Sequence, residues 1–387
     1  MKNVVFFINS LGRGGAEKAL IQILERINTN KYKIKLVVIK NDGGYINQVP
    51  KNVELISLGR YEDNLFSKVR WSIYWRIIRY FPTIIKKQIL RKVNIHKNDL
   101  LVSFLEGQST KLVSLFLNRK IAWMHTDYQL NRWTTEFFKS ANEELNDYNK
   151  FNSIVFVSKH GQEAFNNFFN QKVTRSERVI YNPIDVQEIN ELANCEADDV
   201  SNWVSKTENT IRIVSIGRLT DVKRMDWLID AHDQLNRLGI LVSTTVIGTG
   251  KLYEDFQKII VDRDIKGIYF VGFKTNPYVY LKYADIYTST SLTESYPLSI
   301  AEAYALEVPV IATRNSGSNE LSREGKYALL VDSNYTAFFE ALKNIITDNS
   351  LLDNYKIKAI EAKKQFDVGS VLEDIENLLD EVFEYDE

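Results

Sequence analysis

The chain has 387 residues, of which 44% are hydrophobic and 26% charged, a composition typical of a soluble globular protein with two or three domains. Its single cysteine, Cys195, excludes an internal disulfide framework and a cysteine-based zinc site, and no apolar run approaches the roughly 20 residues of a membrane-spanning helix. The net charge of −1 hides a division, because residues 1–190 hold 29 Lys and Arg against 17 Asp and Glu while the rest of the chain is acidic. We therefore expect two domains with different partners.

The first half alternates strand-like and helix-like segments. A glycine-rich turn at residues 9–17 leads from the first strand into an amphipathic helix, and residues 65–95 form a basic, aromatic helical region. Because strands alternate with helices, we predict an α/β unit with a parallel sheet. The predicted strands cover residues 2–8, 33–39, 53–58, 100–105, 120–124 and 153–157.

The second half repeats this alternation after a polar, acidic stretch at residues 186–209, which we predict to be the linker. We expect domains at 1–190 and 191–365, followed by a C-terminal helix at 366–387 that packs back toward the N-terminal domain. The predicted strands of the second unit cover residues 211–216, 241–247, 268–271, 285–290, 308–312 and 328–331.

Two carboxylates bracket a predicted helix start in the second unit. Glu294 lies in a loop after the predicted strand 285–290, and Glu302 lies about two turns into the next helix, for which Pro297 suits the first turn and Ser295 can be the cap. Backbone N–H groups there can bind phosphate, and carboxylates can accept hydrogen bonds from sugar hydroxyls. Two Glu at this spacing are also common on a solvated helix face, so the pair alone leaves both interpretations open.

Further ligand-type residues follow the other strands of the second unit. Arg218 and Lys223 occupy the loop after the strand 211–216, and cations there suit a phosphate, although solvated loop cations are an equally plain interpretation. Gly248 and Gly272 end the next two strands. Ligands bind at the carboxyl ends of strands in open α/β sheets, so several such loops on one sheet are stronger evidence than any one of them.

Taken in order, these motifs resemble the retaining glycosyltransferases of family 4. That family has the GT-B architecture, in which two Rossmann-like domains face each other across a cleft. The resemblance covers essentially the whole chain, and it is specific for nucleotide-sugar use but not for a particular sugar or acceptor. The matching motifs are Gly14-Gly15-Ala16-Glu17, Gly217-Arg218-Leu219 with Lys223, Gly248-x-Gly250, Val271-Gly272-Phe273 and the Glu294/Glu302 pair.

The resemblance implies a role for each matching residue of the donor site. Arg218 and Lys223 would bind the donor diphosphate, and Glu302 would accept hydrogen bonds from the ribose. Glu294 would contact the transferred sugar. Arg224 stands where the family often has glycine. The other implied donor-site residues are Gly15 and Gly248 in phosphate-approaching loops, Gly272 and Phe273 beside the base, and the backbone N–H groups of Tyr296 and Leu298.

Candidate residues of the first half follow two of its strands. His125 stands where family members often place a histidine toward the transferred sugar, while an ordinary hydrogen-bonded loop histidine is the alternative. Glu106 and Asp127 are candidates for the acceptor side. No side chain is placed as a covalent nucleophile, and in the family the departing diphosphate is thought to take the acceptor proton. The resemblance therefore implies a catalytic set of Glu294, His125, Arg218 and Lys223, with no metal and no cofactor other than the nucleotide sugar as substrate.

Residues 60–97 hold ten Lys and Arg against Glu62 and Asp63, interleaved with aromatic and aliphatic residues. Cations on one face and apolar residues on another fit a helix in a membrane interface, and we expect residues 65–92 to meet an anionic membrane surface. An ordinary packed helix with a solvated basic face remains the alternative. Nucleic acid is disfavoured, because no recognition motif accompanies the charge.

The resemblance implies a retaining glycosyltransferase that moves a hexose or N-acetylhexosamine from a UDP-sugar to a saccharide acceptor, which is expected to carry a polyprenyl diphosphate. The expected setting is capsule or exopolysaccharide assembly, in the cytoplasm and peripheral to the inner face of the cell membrane, since the N-terminus shows no signal-peptide pattern. A nucleotide-sugar epimerase on the same fold and a non-catalytic glycosyltransferase-like partner subunit are the alternatives.

Overall fold

A computed structural model describes residues 1–41, 43–60, 64–128, 133–170, 172–207 and 209–385, and the side chains of all of these except Arg60 and Asp198. The chain forms two compact units. Unit 1 comprises Met1–Pro183 and Gly369–Glu387, and unit 2 comprises Ile184–Val368. Each unit is described by itself below.

Unit 1 contains a seven-stranded sheet in the order β3-β2-β1-β4-β5-β6-β7, in which every neighbouring pair is parallel. The central strand β1 pairs through Val4 with Ile34 on one side and with Leu100 on the other. Burial on both faces of the sheet explains its near-continuous apolar strands. The strands are β1 (Lys2–Ile8), β2 (Tyr32–Asn41), β3 (Glu54–Arg60), β4 (Leu100–Ser103), β5 (Lys120–Met124), β6 (Ser153–Phe156) and β7 (Ser176–Val179).

Helices connect the strands of unit 1 and cover its sheet. The first of them buries Ala19, Leu20, Ile23 and Leu24 at helical spacing, as its amphipathic sequence predicts. Asn94, at φ 53°, ends the third in the left-handed conformation that asparagine tolerates. The helices are α1 (Gly15–Arg26), α2 (Leu65–Tyr80), α3 (Pro82–Val93), α4 (Gln108–Val113), α5 (Ala141–Tyr148) and α6 (Lys159–Phe168).

Unit 2 contains a six-stranded parallel sheet in the order β10-β9-β8-β11-β12-β13. The order reverses between β8 and β11, since β9 and β10 lie on one side of β8 and the later strands on the other. The strands are β8 (Ile211–Ile216), β9 (Val242–Ile247), β10 (Ile268–Phe270), β11 (Ile286–Ser289), β12 (Val310–Thr313) and β13 (Leu329–Val331).

In the described part of unit 2, two helices precede β8 and seven lie between or after the strands. Two hydrophobic clusters fill the unit, one including Val214, Tyr287 and Tyr304 and the other Ile213, Ile286 and Phe338. The helices are α7 (Val186–Ala193), α8 (Asp198–Lys206), α9 (Met225–Arg237), α10 (Tyr253–Asp262), α11 (Tyr278–Leu281), α12 (Leu298–Ala305), α13 (Ser316–Leu321), α14 (Tyr335–Thr347) and α15 (Asn349–Lys363).

The last helix, α16 (Val368–Glu384), carries contacts to the start of the chain. The Asp380 carboxylate accepts a hydrogen bond from Lys2 Nζ at 2.8 Å and one from the Tyr32 hydroxyl at 2.7 Å, and it also pairs with Lys31. Burial raises the pKa of Asp380, but the hydrogen bonds from Lys2, Lys31 and Tyr32 together outweigh it and lower the pKa to about 2. Hydrogen bonds and ion pairs therefore join the last helix to the first two strands of unit 1.

The two parallel sheets confirm the predicted α/β class. Three local predictions differ from the structure. The expected linker at 186–209 contains α7 and α8, whose apolar residues Ile189 and Trp203 are buried in unit 2, so the division between the units falls after Pro183. The helical region 65–95 is broken at Phe81, because Pro82 begins a new helix. Strand β7 was not predicted, since its polar sequence Ser-Glu-Arg-Val carries little strand signal.

Among the described residues, no helix combines the length and the apolar composition that a membrane crossing requires.

Candidate active site

The loops that follow β8 and β11 are joined at the point where the strand order of unit 2 reverses. The Leu292 N–H donates to the Val222 carbonyl at 2.8 Å, and the Thr290 hydroxyl donates to the Lys223 carbonyl at 2.7 Å. In open α/β sheets, a reversal of strand order leaves a crevice at the strand ends in which ligands bind. The predicted cation loop and the predicted carboxylate loop therefore meet at the place where this sheet offers a binding crevice.

Within this crevice, the Lys223 ammonium contacts the Glu294 carboxylate. Each of the two side chains is 19% exposed. Glu294 Oε1 also accepts a hydrogen bond from the Ser291 hydroxyl at 3.1 Å, while its backbone carbonyl accepts from the Gly317 N–H at 2.8 Å. Hydrogen bonds to both the side chain and the backbone of Glu294 therefore fix the position of its carboxylate.

The groups around Lys223 act in opposite directions on its pKa. Burial, followed by the neighbouring Arg218 guanidinium, lowers the pKa of the Lys223 ammonium to about 7. The Glu294 carboxylate in contact with it acts in the opposite direction. Arg218 itself is exposed, so this edge of the sheet presents two neighbouring cations, of which Lys223 is paired with Glu294.

Two glycines allow the loops after β8, β9 and β10 to come together. A Cβ at Gly248, where φ is +147°, would collide with the Gly217 carbonyl oxygen. The Gly248 N–H instead donates to the Gly272 carbonyl at 2.8 Å. At Gly272, φ is +71° and the space beside it is open. The backbone conformation requires glycine at both positions, so the three loops lie within reach of one ligand.

Glu302 is buried on α12, where its Oε1 accepts a hydrogen bond from the Tyr278 hydroxyl at 3.2 Å. The helix begins at Leu298, with Pro297 as its N-cap residue and without a side-chain cap. Two predictions are therefore wrong: Ser295 does not cap the helix, and Glu302 lies little more than one turn inside it. The Ser295 hydroxyl oxygen is instead buried, with no hydrogen-bond partner in the described part of the chain.

Arg224 occupies the position where the resembled family often has glycine. Its φ of 48° lies in the left-handed region, which explains why glycine suits that position. Its guanidinium donates to the Asp226 carboxylate at 2.5 and 3.0 Å and lies 4.5 Å from the ring centroid of Trp227. Arg224 is thus engaged by its own helix.

The candidates of unit 1 form a second group, at the ends of β4 and β5. Glu106 is fully buried, and its Oε2 accepts a hydrogen bond from the His125 backbone N–H at 3.0 Å. Within the described residues, neither Glu106 Oε1 nor His125 Nε2 has a hydrogen-bond partner. The His125 ring lies 4.9 Å from that of Phe104, between centroids. The structure therefore brings Glu106 and His125 together, with two buried polar atoms that have no partner among the described residues.

Burial shifts both groups toward their neutral forms. Burial raises the pKa of the Glu106 carboxyl to about 7, while hydrogen bonds such as that from the His125 N–H oppose it. Burial also lowers the pKa of the His125 imidazole to about 3. A neutral imidazole can donate or accept a hydrogen bond at Nε2 without carrying charge.

Aromatic residues enclose this second group. A Cβ at Gly107, where φ is +78°, would lie 3.0 Å from the Trp133 ring. The Trp133 indole N–H donates to the Thr126 hydroxyl at 3.0 Å, next to His125. Asp127 is buried beside them.

Gly15 is the exposed first residue of α1, at the end of the loop that follows β1.

Sequence reasoning missed several residues of the two groups. Ser291 and Thr290 support the Lys223–Glu294 contact, and the run of alternating Thr and Ser at 288–291 is a signal that could have located them. Tyr278, the partner of Glu302, comes from a separate helix and carries no local signal.

Of the other predicted donor-site residues, Tyr296 and Phe273 are half-buried and Leu298 is buried.

The chain is similar in sequence to known proteins. Residues 210–348, which include Lys223, Glu294 and Glu302, match the family of glycosyl transferases group 1. The chain is 24% identical over 388 residues to the N-acetylgalactosamine-N,N'-diacetylbacillosaminyl-diphospho-undecaprenol 4-alpha-N-acetylgalactosaminyltransferase of Campylobacter jejuni, with 97% of this chain and 98% of the relative covered. It is also 35% identical over 120 residues to the amylovoran biosynthesis glycosyltransferase AmsK of Erwinia amylovora, which covers 29% of this chain and 30% of the relative.

The fold has solved counterparts. The structure of Alr3699/HepE of Anabaena in complex with UDP and glucose superposes with a TM-score of 0.76 at 18% identity, covering 98% of this chain and all of that one. This likeness shows the fold, which is the GT-B fold. Together the matches indicate a glycosyltransferase similar to those of bacterial polysaccharide biosynthesis.

Proposed function

We propose that this chain is a retaining glycosyltransferase of family 4 type that transfers a hexose or N-acetylhexosamine from a UDP-sugar to a lipid-linked saccharide, forming an α-linkage. The observation that carries the proposal is the contact between Lys223 and Glu294 at the reversal of strand order in unit 2. A half-buried cation and carboxylate at a ligand-binding crevice suit a substrate that has both a polyanion and hydroxyl groups.

Donor binding changes the partners of this pair. The donor diphosphate takes the Lys223 ammonium and the Arg218 guanidinium, and the Glu294 carboxylate turns to hydroxyls of the transferred sugar. Lys223 exchanges a carboxylate for a phosphate and Glu294 exchanges an ammonium for hydroxyl donors, so neither group is left buried without a hydrogen-bond partner. Glu302 already accepts from the Tyr278 hydroxyl, and its other carboxylate oxygen accepts from the ribose.

In the reaction, the acceptor oxygen forms a bond to the anomeric carbon of the donor sugar as the bond from that carbon to the diphosphate oxygen breaks. The acceptor hydroxyl proton passes to the departing diphosphate. Lys223 and Arg218 stabilise the negative charge that develops on this leaving group, which is the main contribution required of the protein. Burial keeps the His125 imidazole of unit 1 neutral, so its Nε2 suits a hydrogen bond to a hydroxyl group and not to a phosphate.

Support for a lipid-linked acceptor comes from α2 and α3. Seven large apolar residues in and between these helices are exposed, with fractions from 51% to 78%, and they lie among cations such as Lys86 and Lys87. An exposed apolar stripe flanked by cations fits the surface of an anionic bilayer. The seven residues are Leu65, Phe66, Val69, Ile73, Tyr80, Phe81 and Ile84. The Campylobacter relative is named for an acceptor on undecaprenyl diphosphate.

The proposed reaction is tested with the purified chain and a panel of nucleotide sugars. The matching UDP-sugar at 100 times its Kd is expected to stabilise the protein by about 2.7 kcal/mol, and it should be hydrolysed slowly, or transferred when an acceptor is added. Conversion of the sugar to its epimer without an acceptor would identify an epimerase instead. Binding without hydrolysis, transfer or epimerisation would identify a non-catalytic subunit.

The membrane proposal is tested by co-sedimentation with vesicles. Replacing Phe66 and Phe81 with Ser should weaken binding to vesicles that contain phosphatidylglycerol while leaving UDP binding unchanged, because the donor residues lie in unit 2. Binding that does not depend on lipid charge and survives these replacements would contradict the proposal and support a packed helix with a solvated face.

A further inference from the structure

Tyr278 and Glu302 form a buried hydrogen-bonded pair between two helices of unit 2. Tyr278 is the first residue of α11, and Glu302 lies on α12. Both side chains are buried, and the Tyr278 hydroxyl donates to Glu302 Oε1 at 3.2 Å. The bond therefore joins the segment that follows β10 to the helix that follows β11.

The position of Tyr278 is itself fixed by its neighbour Asn276. The Asn276 side-chain oxygen accepts from the Tyr278 backbone N–H at 3.2 Å, and the Asn276 amide nitrogen donates to the Leu192 carbonyl on α7 at 2.8 Å. The Tyr278 ring also belongs to a hydrophobic cluster of buried residues. A bonded backbone and a closely packed ring leave the hydroxyl little freedom to move away from Glu302.

Helix α7 holds both members of the pair. In addition to the bond between Asn276 and Leu192, the Asn190 amide donates to the carbonyl of Ala305, the last residue of α12, at 3.3 Å. One helix is thus bonded both to the segment that carries Tyr278 and to the helix that carries Glu302. These contacts keep the phenol and the carboxylate at a fixed separation.

A fixed carboxylate is what recognition of a ribose requires. A carboxylate has two oxygens that accept hydrogen bonds, and the direction of the second is set once the phenol holds the first. A side chain that is already ordered loses less freedom when the ligand binds, so the same contacts give a higher affinity. The contact with Tyr278 therefore favours binding of ribose hydroxyls by Glu302.

We propose that Tyr278 is a positioning residue for the donor nucleoside. Its hydroxyl holds Glu302 in the orientation that binds the ribose, and it thereby contributes to the selection of ribonucleotide donors over nucleotides that lack ribose hydroxyls. The inference rests on the proposed glycosyltransferase function and adds a determinant of its nucleoside selectivity. Tyr278 acts through Glu302 and does not itself contact the reacting atoms.

The test measures by calorimetry how the full chain binds two probes. One is UDP, and the other is the diphosphate of 2′,3′-dideoxyuridine, which lacks both ribose hydroxyls. Tyr278→Phe removes only the phenol oxygen and should raise the Kd for UDP about fivefold, because Glu302 is no longer held in place. The Kd for the dideoxy probe should change by less than about twofold, since that probe has no ribose hydroxyl for Glu302 to bind.

Tyr280→Phe is the matched control. Tyr280 is buried on the same helix, and its hydroxyl also donates to a carboxylate, that of Asp199, at 2.7 Å. This variant loses the same type of hydrogen bond and should bind UDP within about twofold of the wild type. Binding is measured below the melting temperature of each variant, so that unfolding does not imitate a loss of affinity.

A double variant shows whether Tyr278 acts through Glu302. In a Glu302→Gln background, Tyr278→Phe should raise the Kd for UDP by less than about twofold, because the oriented carboxylate is already lost. A full fivefold effect in that background would overturn the inference. So would equal effects of Tyr278→Phe on the two probes, or a Kd for UDP that does not rise above that of Tyr280→Phe.

The two probes also separate this inference from the proposed function. If the wild type prefers UDP to the dideoxy probe and Tyr278→Phe keeps that preference in full, the inference fails while the function stands. If the wild type binds the two probes equally, Glu302 has no role at the ribose and the inference fails with it. If the wild type binds neither probe and uses no UDP-sugar, the proposed function itself is overturned.

Discussion

The groups at the strand ends of unit 1 and unit 2 use opposite electrostatics. In unit 2, Lys223 and Glu294 form a charged pair that remains partly exposed. In unit 1, burial holds Glu106 and His125 toward their neutral forms, and each has a polar atom without a partner among the described residues. A charged crevice suits the part of a reaction in which negative charge develops. A neutral pocket suits recognition of hydroxyl groups, since uncharged donors and acceptors can be buried at lower cost.

The two groups also differ in how they limit the cost of burying a charge. The Lys223 ammonium has the Glu294 carboxylate as a partner, whereas burial favours the protonated form of the Glu106 carboxyl and raises its pKa to about 7. The following variants and conditions should break or sharpen this contrast.

The largest effect is expected from Lys223→Ala, which should lower transfer about 100-fold or more, because a charge that stabilises the leaving group is lost. The melting temperature should change little, since the pair is partly exposed. Lys251→Ala is the matched control, because Lys251 pairs with Asp221 on the surface of a nearby loop. Transfer by Lys223→Ala within twofold of the wild type would remove the diphosphate role from this residue.

Next in size is the dependence of stability on pH that Glu106 contributes. Its folded pKa, about 7, is raised above that of an ordinary carboxyl, so the folded state holds a proton that the unfolded state has already released. Stability from this group is therefore present below about pH 4.5 and is lost as the pH rises to about 7, with a total of about 3 kcal/mol.

The check is urea unfolding of the wild type and Glu106→Gln between pH 4.5 and 8. The amide does not titrate, so the stability of the wild type relative to the variant should fall across this range. Parallel stability curves would show that Glu106 is not held protonated.

A smaller effect is expected in the affinity for UDP-glucose, whose diphosphate does not titrate near neutral pH. Burial lowers the pKa of Lys223 to about 7, so above that pH donor binding must take up a proton. The Kd should therefore rise by up to about tenfold per pH unit above 7. In Lys223→Arg the guanidinium stays charged, and the Kd should be nearly independent of pH. Identical pH profiles for the two proteins would assign the dependence to another group.

The smallest effect separates the two glutamates of unit 2. Glu302→Gln should weaken UDP binding about fivefold, since a charge-assisted hydrogen bond to the ribose becomes neutral, a difference of about 1 kcal/mol. Glu294→Gln should leave UDP affinity closer to that of the wild type and mainly reduce turnover with the UDP-sugar. Equal losses of UDP affinity in both variants would contradict this division of roles.

Much of unit 2 could be predicted because its ligand-type residues stand in short motifs at strand ends. Arg218, Lys223, Gly248 and Glu294 were predicted in this way as ligand-binding residues, and the structure places the loops that carry them together. The helix start near Ser295 was predicted less well, because a proline can lie on either side of a helix boundary. In the structure, Pro297 is the N-cap residue and the helix begins at Leu298. Unit 1 offered fewer signals, since Glu106 and His125 belong to no dense motif.

The sequence by itself determined the alternation of strands and helices, the division into a basic and an acidic half, and the motifs that name a nucleotide-sugar site. These depend on local periodicity and on residue type. Only the tertiary structure decided that Lys223 contacts Glu294 and that Tyr278 donates a hydrogen bond to Glu302. It also decided that Arg79 lines a cavity beside α2. Each of these depends on strand order and helix rotation, which bring together residues far apart in the chain or select one face of a helix over another, and local sequence does not encode either.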